Sequence, residues 1–123
     1  RSCEQDWEYY DGSCYFHEGN TKTFSAAQAN CELKQANLVT VNDKNEQKFL
    51  SVLMGNYGAW NGLNSLNDTE VFEWISGEKG NFTNWLPGQP NKRYHCIHML
   101  QKGEHKWRTK ACSSTLRSIC EKK

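Results

Sequence analysis

Six cysteines are the feature that most constrains how this 123-residue chain folds. They are spread from Cys3 to Cys120 and include no Cys-x-x-Cys pair of the kind that zinc sites and thioredoxin-like redox sites use. We therefore interpret them as disulfide partners, although these spacings by themselves leave the pairing open. Disulfides persist in oxidising compartments, so the protein is predicted to be secreted. Two N-glycosylation sequons, at Asn67 and Asn81, are compatible with that route.

The length and charge of the chain restrict its architecture and its partners. A chain of this size favours one domain, residues 1–123, and no linker, low-complexity run or repeat divides it. The net charge is +1, from 15 basic and 14 acidic residues, which gives no long-range field toward nucleic acid or anionic lipid. No stretch approaches the ~18 apolar residues of a membrane-spanning helix. We expect neither a nucleic-acid partner nor membrane insertion.

The N-terminal half of the sequence predicts a hairpin and a first helix. Asp11–Gly12 stands between two aromatic runs, which is a strong signal for a tight β-hairpin. Downstream, small and apolar residues recur at helical spacing and predict a helix that carries Cys31 and is capped by Thr23 or Ser25.

A strand, a second helix and a strand-rich half follow. Residues 38–41 predict a buried strand, and a helix capped by Asn42 is expected to end at Gly55. Short strands are predicted near residues 60–63, 71–75, 96–100 and 118–120. Residues 76–92 are too rich in Gly, Pro and polar side chains for a regular element, so they predict a long loop. Function in a disulfide-rich domain usually lies in such loops.

Several motifs resemble those of the C-type lectin-like domain family, and the resemblance covers essentially the whole chain. They are Trp60-Asn61-Gly62-Leu63, Phe72-Glu73-Trp74, the tripeptide Gln89-Pro90-Asn91, and the closing series Cys96, Trp107, Cys112 and Cys120. The resemblance implies an α+β fold in which two helices flank small antiparallel sheets and a long loop region. It also implies a cis peptide bond before Pro90.

The same resemblance implies the disulfide pairing and the role of the tryptophans. The implied pairs are Cys3–Cys14, which marks the long form of the family, Cys31–Cys120 and Cys96–Cys112. The five tryptophans, by the same resemblance, pack in the core: Trp7, Trp60, Trp74, Trp85 and Trp107.

This chain has no carboxylate at the positions that correspond to the calcium ligands of sugar-binding family members. In those members the resemblance implies ligands from the tripeptide, a Glu two residues before the next cysteine, and an Asn-Asp pair after the tryptophan. This chain has Gln89 and Asn91, then Tyr94, then Arg108-Thr109. Residues 79–103 contain no Asp or Glu, and the segment after the tripeptide is about three residues shorter than in calcium-binding relatives. Because calcium favours carboxylate oxygens, we predict that the domain needs no calcium or other cofactor.

Other metal and catalytic chemistry finds little support in the sequence. Candidate ligands for the family's auxiliary calcium site are interpreted as solvated surface charges: Asp43, Glu46, Glu70 and Glu73. Three histidines that a zinc site would require are interpreted as exposed or hydrogen-bonded imidazoles: His95, His98 and His105. The sequence has no nucleophile elbow, zinc-protease, P-loop or dinucleotide motif, so we predict that it is not an enzyme.

The leading hypothesis is a secreted lectin that binds a hexose or N-acetylhexosamine end group of glycans or glycoproteins without calcium. Amides, guanidinium groups and hydroxyls can bond sugar hydroxyls directly, and the candidates are Gln89, Asn91, Arg93, Tyr94, His95 and Arg108. One shallow site binds weakly, so a homodimer is expected for avidity. With every cysteine paired internally, that dimer would be non-covalent.

The alternative is a protein-binding domain of the same fold, such as a receptor ectodomain, a venom subunit or an ice-binding relative. The absence of the same carboxylates supports it, because function lies in loops and not in the fold. In that case Gln89 and Asn91 would be turn residues around Pro90. The two hypotheses stay open at the level of sequence.

Overall fold

The computed structural model describes residues 2–123, so the predicted domain start at residue 1 lies outside the described residues. Two helices form, α1 (Phe24–Leu33) and α2 (Lys44–Met54). The strands in chain order are β1 (Glu8–Tyr10), β2 (Ser13–Lys22), β3 (Asn37–Leu38), β4 (Ala59–Asp68), β5 (Val71–Trp74), β6 (Cys96–Met99), β7 (Trp107–Lys110) and β8 (Leu116–Lys122). No helix within residues 2–123 has the length and hydropathy needed to cross a membrane.

The strands form one mixed sheet in the order β1-β2-β8-β4-β6-β7, with β3 also paired to β8 and β5 to β4. The expected α+β fold with two helices is confirmed, but the strands do not separate into small antiparallel sheets. The connection is the parallel contact of β4 with β8, where Trp60 lies beside Ser118. It arises because β8, the last strand, inserts between β2 and β4 and joins the two halves of the chain.

Local chemistry explains the hairpin and the start of α1. Asp11 and Gly12 both have positive φ, 46° and 88°, as a two-residue hairpin turn requires. Thr23, one of the two predicted caps, begins α1 by accepting a hydrogen bond from the backbone N–H of Ala26.

The predicted cap of α2 is wrong by one residue. Asp43 is the N-cap, and its Oδ1 accepts from the backbone N–H of Glu46 at 2.8 Å. The backbone N–H of Asn42 instead donates to the side chain of Glu46 at 2.7 Å. Asn42 and Asp43 have similar intrinsic preferences for the N-cap position. The structure has Asp43 as the cap, and the carboxylate of Glu46 bonds the backbone that precedes it. The helix ends at Gly55, as predicted.

The predicted strand at residues 38–41 is also largely wrong. Only Asn37 and Leu38 pair with β8. Val39 donates to the carbonyl of Ile119 and accepts from the backbone N–H of Gly62, so it bridges β8 and β4 without extending a ladder. The apolar residues there mark burial between neighbouring strands, which the pattern alone does not distinguish from a strand.

Helices and disulfides enclose two buried clusters. One includes Leu50 and Met54 of α2, and the other includes Phe24 of α1. Trp60, Trp74 and Trp107 are buried, and Trp7 and Trp85 pack partly buried against the clusters, in agreement with prediction. All three expected disulfides form: Cys3–Cys14, Cys31–Cys120 and Cys96–Cys112.

Glu46 is not the surface charge that the sequence suggested. Its side chain is buried and accepts hydrogen bonds from the hydroxyl of Tyr15 and the backbone of Asn42. Burial raises the pKa of Glu46 above its usual value. Glu46 therefore ties α2 to β2, whereas Glu70 and Glu73 are exposed as expected.

Candidate functional site

The long loop, residues 75–95, is fastened to β7 through Trp107. The backbone N–H of Leu86 donates to the carbonyl of Trp107 at 2.9 Å, and the N–H of Trp107 donates to the carbonyl of Asn84 at 2.8 Å. The indole N–H of Trp107 donates to Oε1 of Gln47 on α2 at 2.9 Å. One buried residue thereby connects the loop, the sheet and a helix.

Aromatic rings form the floor beneath the loop. The fully buried Trp107 ring meets three others edge-on, with centroid distances of 5.9 Å to Trp74, 6.0 Å to Phe82 and 5.7 Å to Trp85. Edge-to-face contacts of this kind favour one ring arrangement over others. The loop is therefore held against a rigid base.

Gln89 directs its carbonyl oxygen inward, to Thr109. Oε1 of Gln89 accepts from the backbone N–H of Thr109 at 3.1 Å and from its hydroxyl at 3.0 Å. The peptide bond from Gln89 to Pro90 is cis, as the resemblance implied. Among residues 2–123, the Nε2 amino group of Gln89 has no hydrogen-bond partner, so it is free to donate outward.

Asn91 is oriented in a similar way. Its backbone N–H donates to Oγ1 of Thr109 at 3.1 Å, and its Oδ1 accepts from the backbone N–H of Arg93 at 3.0 Å. Within residues 2–123 its Nδ2 amino group also has no partner. Thr109 is therefore the residue that brings Gln89 and Asn91 together, a role that was not predicted from the sequence. The hydroxyl and its place after the buried Trp107 were the available signal.

The other predicted residues lie around this pair. Arg93 is exposed, and Tyr94 closes the turn by donating its backbone N–H to the carbonyl of Asn91 at 3.1 Å. Nδ1 of His95 lies 3.0 Å from the hydroxyl of Ser65 on β4, so the imidazole is held at the edge of the loop.

Arg108 faces away from the amide pair. Successive strand residues point to opposite faces, and Thr109 is buried while Arg108 is exposed. Arg108 lies directly opposite His98 on β6. The structure therefore brings Gln89, Asn91, Arg93 and Tyr94 together, and places Arg108 beside them on the other side of the strand.

These residues make a poor donor set for calcium. The carbonyl oxygens of Gln89 and Asn91 already accept hydrogen bonds from the protein. Glu70, which lies outside the loop, forms an ion pair with Lys92, with its Oε1 3.7 Å from Nζ of Lys92. Calcium needs six to eight oxygens, with carboxylates among them, and residues 89–95 of the loop supply none.

The histidines that a zinc site would require make separate contacts. Nε2 of His105 lies 2.9 Å from the carbonyl of Gly55, and His95 contacts Ser65. His98 is buried on β6. Across residues 2–123, no three His, Cys, Asp or Glu side chains are grouped to hold a metal ion.

His98 predicts a loss of stability in acid. Burial, with lesser contributions from Lys110 and Arg108, lowers the pKa of His98 from 6.5 to about 4. The unfolded chain therefore takes up this proton first, and the free energy of unfolding should fall as pH decreases from 6.5 toward 4. The expected loss is about 3 kcal/mol.

Urea unfolding of the native protein and of His98→Gln across that pH range tests the prediction. The variant should have a shallower dependence. Part of the slope should remain, because burial lowers the pKa of His17 as well. Identical slopes in the two proteins would contradict the assignment to His98.

The Lectin C-type domain model matches residues 20–122 of the chain. The chain belongs to the C-type lectin domain family. This C-type lectin domain is 38% identical to mouse C-type lectin domain family 4 member G, over 99% of the chain and 44% of that protein. It is 35% identical to rat C-type lectin domain family 10 member A, over 98% of the chain and 42% of that protein. The chain thus spans less than half the length of these relatives.

Solved structures agree on the fold. The C-type carbohydrate-recognition domain of cow CD23, solved in the presence of a GlcNAc2Man3 oligosaccharide, has a TM-score of 0.92 and 30% identity, covering 98% of this chain and 95% of that one. A calcium-independent type II antifreeze protein has a TM-score of 0.93 and 24% identity, covering 98% and 94%. The second likeness shows the fold alone. Carbohydrate-recognition relatives make the chain a lectin-like domain.

Proposed function

We propose that this C-type lectin domain binds the terminal hexose or N-acetylhexosamine of glycans or glycoproteins without calcium. The site is the amide surface, which comprises Gln89, Asn91, Arg93, Tyr94, His95 and Arg108. The observation that carries the proposal is the orientation of the two amides. Their carbonyl oxygens are held by the backbone or by Thr109, and their amino groups have no partner among residues 2–123.

This orientation suits direct recognition of a sugar. Two fixed N–H donors on one turn can bond adjacent hydroxyl oxygens, and little ordering entropy is lost because the side chains are already held. Arg93 adds exposed donors, and the half-buried Tyr94 ring adds an apolar face beside them. Arg108 would reach the ligand only from the edge of β7.

Secretion and dimerisation complete the proposal. Three disulfides with no free cysteine among residues 2–123 support an oxidising, extracellular location. A homodimer would be non-covalent, since no described thiol remains for a bridge between chains, and it would raise avidity for clustered sugars.

Amide variants that preserve the internal contacts test the site most sharply. Gln89→Glu keeps an oxygen for Thr109 but removes the amino donor, and Asn91→Asp keeps an oxygen for the backbone N–H of Arg93 but removes the second donor. Each should weaken glycan binding about 3- to 10-fold, as expected for one lost hydrogen bond. The measurement is a glycan array followed by titration of the best monosaccharide, both in chelator so that a metal introduced by the new carboxylate is excluded.

Matched controls are Gln5→Glu and Asn45→Asp, which make the same changes at exposed positions outside the amide surface. Binding that disappears in chelator would refute calcium independence, and binding unaffected by both loop variants would refute the amide surface. No binding to any glycan would favour the protein-binding alternative. That alternative has its own support, because the carbonyls of Gln89 and Asn91 serve the turn around Pro90.

A further inference from the structure

A second hollow lies beyond the C-terminal end of β6 and shares no residue with the amide surface. Its volume is about 510 Å³, and its walls come from β2, the segment after α2, β6 and the beginning of β8. We call it the Arg117 hollow, after the one arginine in its wall. Tyr57, Gly58 and His98 contribute to the same wall.

Arg117 is held in place but carries no ionic partner. Its guanidinium carbon lies 3.4 Å from the centroid of the Tyr57 ring, which fixes the plane of the group. Within residues 2–123 no carboxylate lies within 4.0 Å of it, and it makes no hydrogen bond. Stacking occupies only the face of a guanidinium, so the N–H groups around its edge remain available to a ligand.

No Asp or Glu lines the hollow, and its remaining polar side chains are neutral. Glu18, on β2, is engaged elsewhere, because its carboxylate accepts from the backbone of Asn20 and the side chain of Asn30. On the β7 side, Lys110 and Arg108 are close enough to contribute to the lowered pKa of His98. The potential around the hollow is therefore positive, which favours an anion.

The inner wall is closely packed before any ligand arrives. A Cβ added to Gly58 would lie 2.4 Å from the carbonyl oxygen of Met99 and 2.7 Å from Nε2 of His98, so glycine is needed for this approach. The neutral His98 ring closes the wall. A ligand would meet a preformed cavity with one organised cation.

We propose that the Arg117 hollow binds the sulfate or carboxylate group of an acidic saccharide. Both groups present paired oxygens that match the N–H groups of a guanidinium. The half-exposed ring of Tyr57 offers a face for the sugar, and Thr21, Asn56 and Thr115 offer hydrogen-bonding groups for its hydroxyls. This site is independent of the amide surface.

Titrations followed by amide chemical shifts test the proposal. The probes are N-acetylglucosamine 6-sulfate, N-acetylneuraminic acid, neutral N-acetylglucosamine and inorganic sulfate. At least one acidic sugar should shift resonances around residues 56–58 and 115–117, with affinity that falls as salt is added. Arg117→Gln should weaken that affinity about 10- to 100-fold, and Arg117→Lys should weaken it less, because a point charge replaces a paired donor.

The matched control is Lys44→Gln, which removes an exposed cation on α2 outside both sites and should leave this affinity unchanged. Unfolding midpoints show whether each variant is folded, and Tyr57→Leu, which removes only the stacking ring, provides a second test. Shifts confined to the long loop, or an unchanged affinity in Arg117→Gln, would overturn the proposal. Inorganic sulfate that binds as tightly as the sulfated sugar would overturn its saccharide part. Failure of the amide variants would leave these results unaffected.

Discussion

Replacing both Cys31 and Cys120 by alanine should lower the free energy of unfolding by about 4 to 5 kcal/mol. This disulfide joins residues 89 apart, so its loss releases a large loop in the unfolded chain. It also ties α1 to β8, and both half-cystines are fully buried. Because domains of this size are stable by only about 5 to 15 kcal/mol, this loss is a large fraction of the free energy of unfolding.

The matched comparison removes the pair Cys3 and Cys14, which joins residues only 11 apart. The same chain-entropy estimate gives a loss of about 3 kcal/mol for that variant. Urea unfolding followed by tryptophan fluorescence measures both. Equal losses in the two variants would show that loop size does not control the stability of this domain.

Replacing Trp107 by alanine should cost about 3 to 5 kcal/mol and should also abolish binding at the amide surface. The substitution opens a cavity among three aromatic rings and leaves Oε1 of Gln47 without its donor. The long loop packs on this ring, so the turn that presents Gln89 and Asn91 should lose its fixed position. Unfolding in urea and titration of the monosaccharide measure the two effects.

Trp107→Phe is the matched control for cavity size, because it keeps an aromatic ring but removes the indole N–H. Its stability loss should be smaller, and binding should persist at reduced affinity. If Trp107→Ala binds sugar as well as the native protein does, the loop is positioned without the aromatic floor. The proposed coupling of core packing to recognition would then be wrong.

Much of the architecture was predictable, because turn and capping residues act on their own backbone neighbours and the disulfides are consistent with the elements that those residues indicate. Asp11–Gly12 forms the hairpin turn, and Thr23 begins α1, since each acts through its own backbone neighbours. The cysteine pairing followed from the family resemblance and not from spacing, and the structure confirms it. The broken segment before β6 is the long loop, as predicted.

The errors have a common physical origin in contacts between distant parts of the chain. Glu46 was interpreted as a surface charge, because no local pattern shows that Tyr15 meets it from β2. Residues 39–41 were interpreted as a strand, because burial between β4 and β8 produces the same apolar run. Residue type alone therefore does not show whether an acidic side chain is buried by a distant hydrogen-bond donor, or whether a buried apolar run pairs as a strand.

The six cysteines and the local turn and capping signals by themselves indicated a disulfide-bonded domain with two helices and several strands, and the lectin-like motifs implied its family and its α+β fold. Only the tertiary structure decided how the amides point. Thr109 fixes Gln89 and Asn91 from a strand 18 residues or more along the chain, and Tyr57 holds Arg117 across a still longer separation. Sequence specifies which groups are present, whereas long-range hydrogen bonds and packing select which atoms of those groups remain free for a ligand.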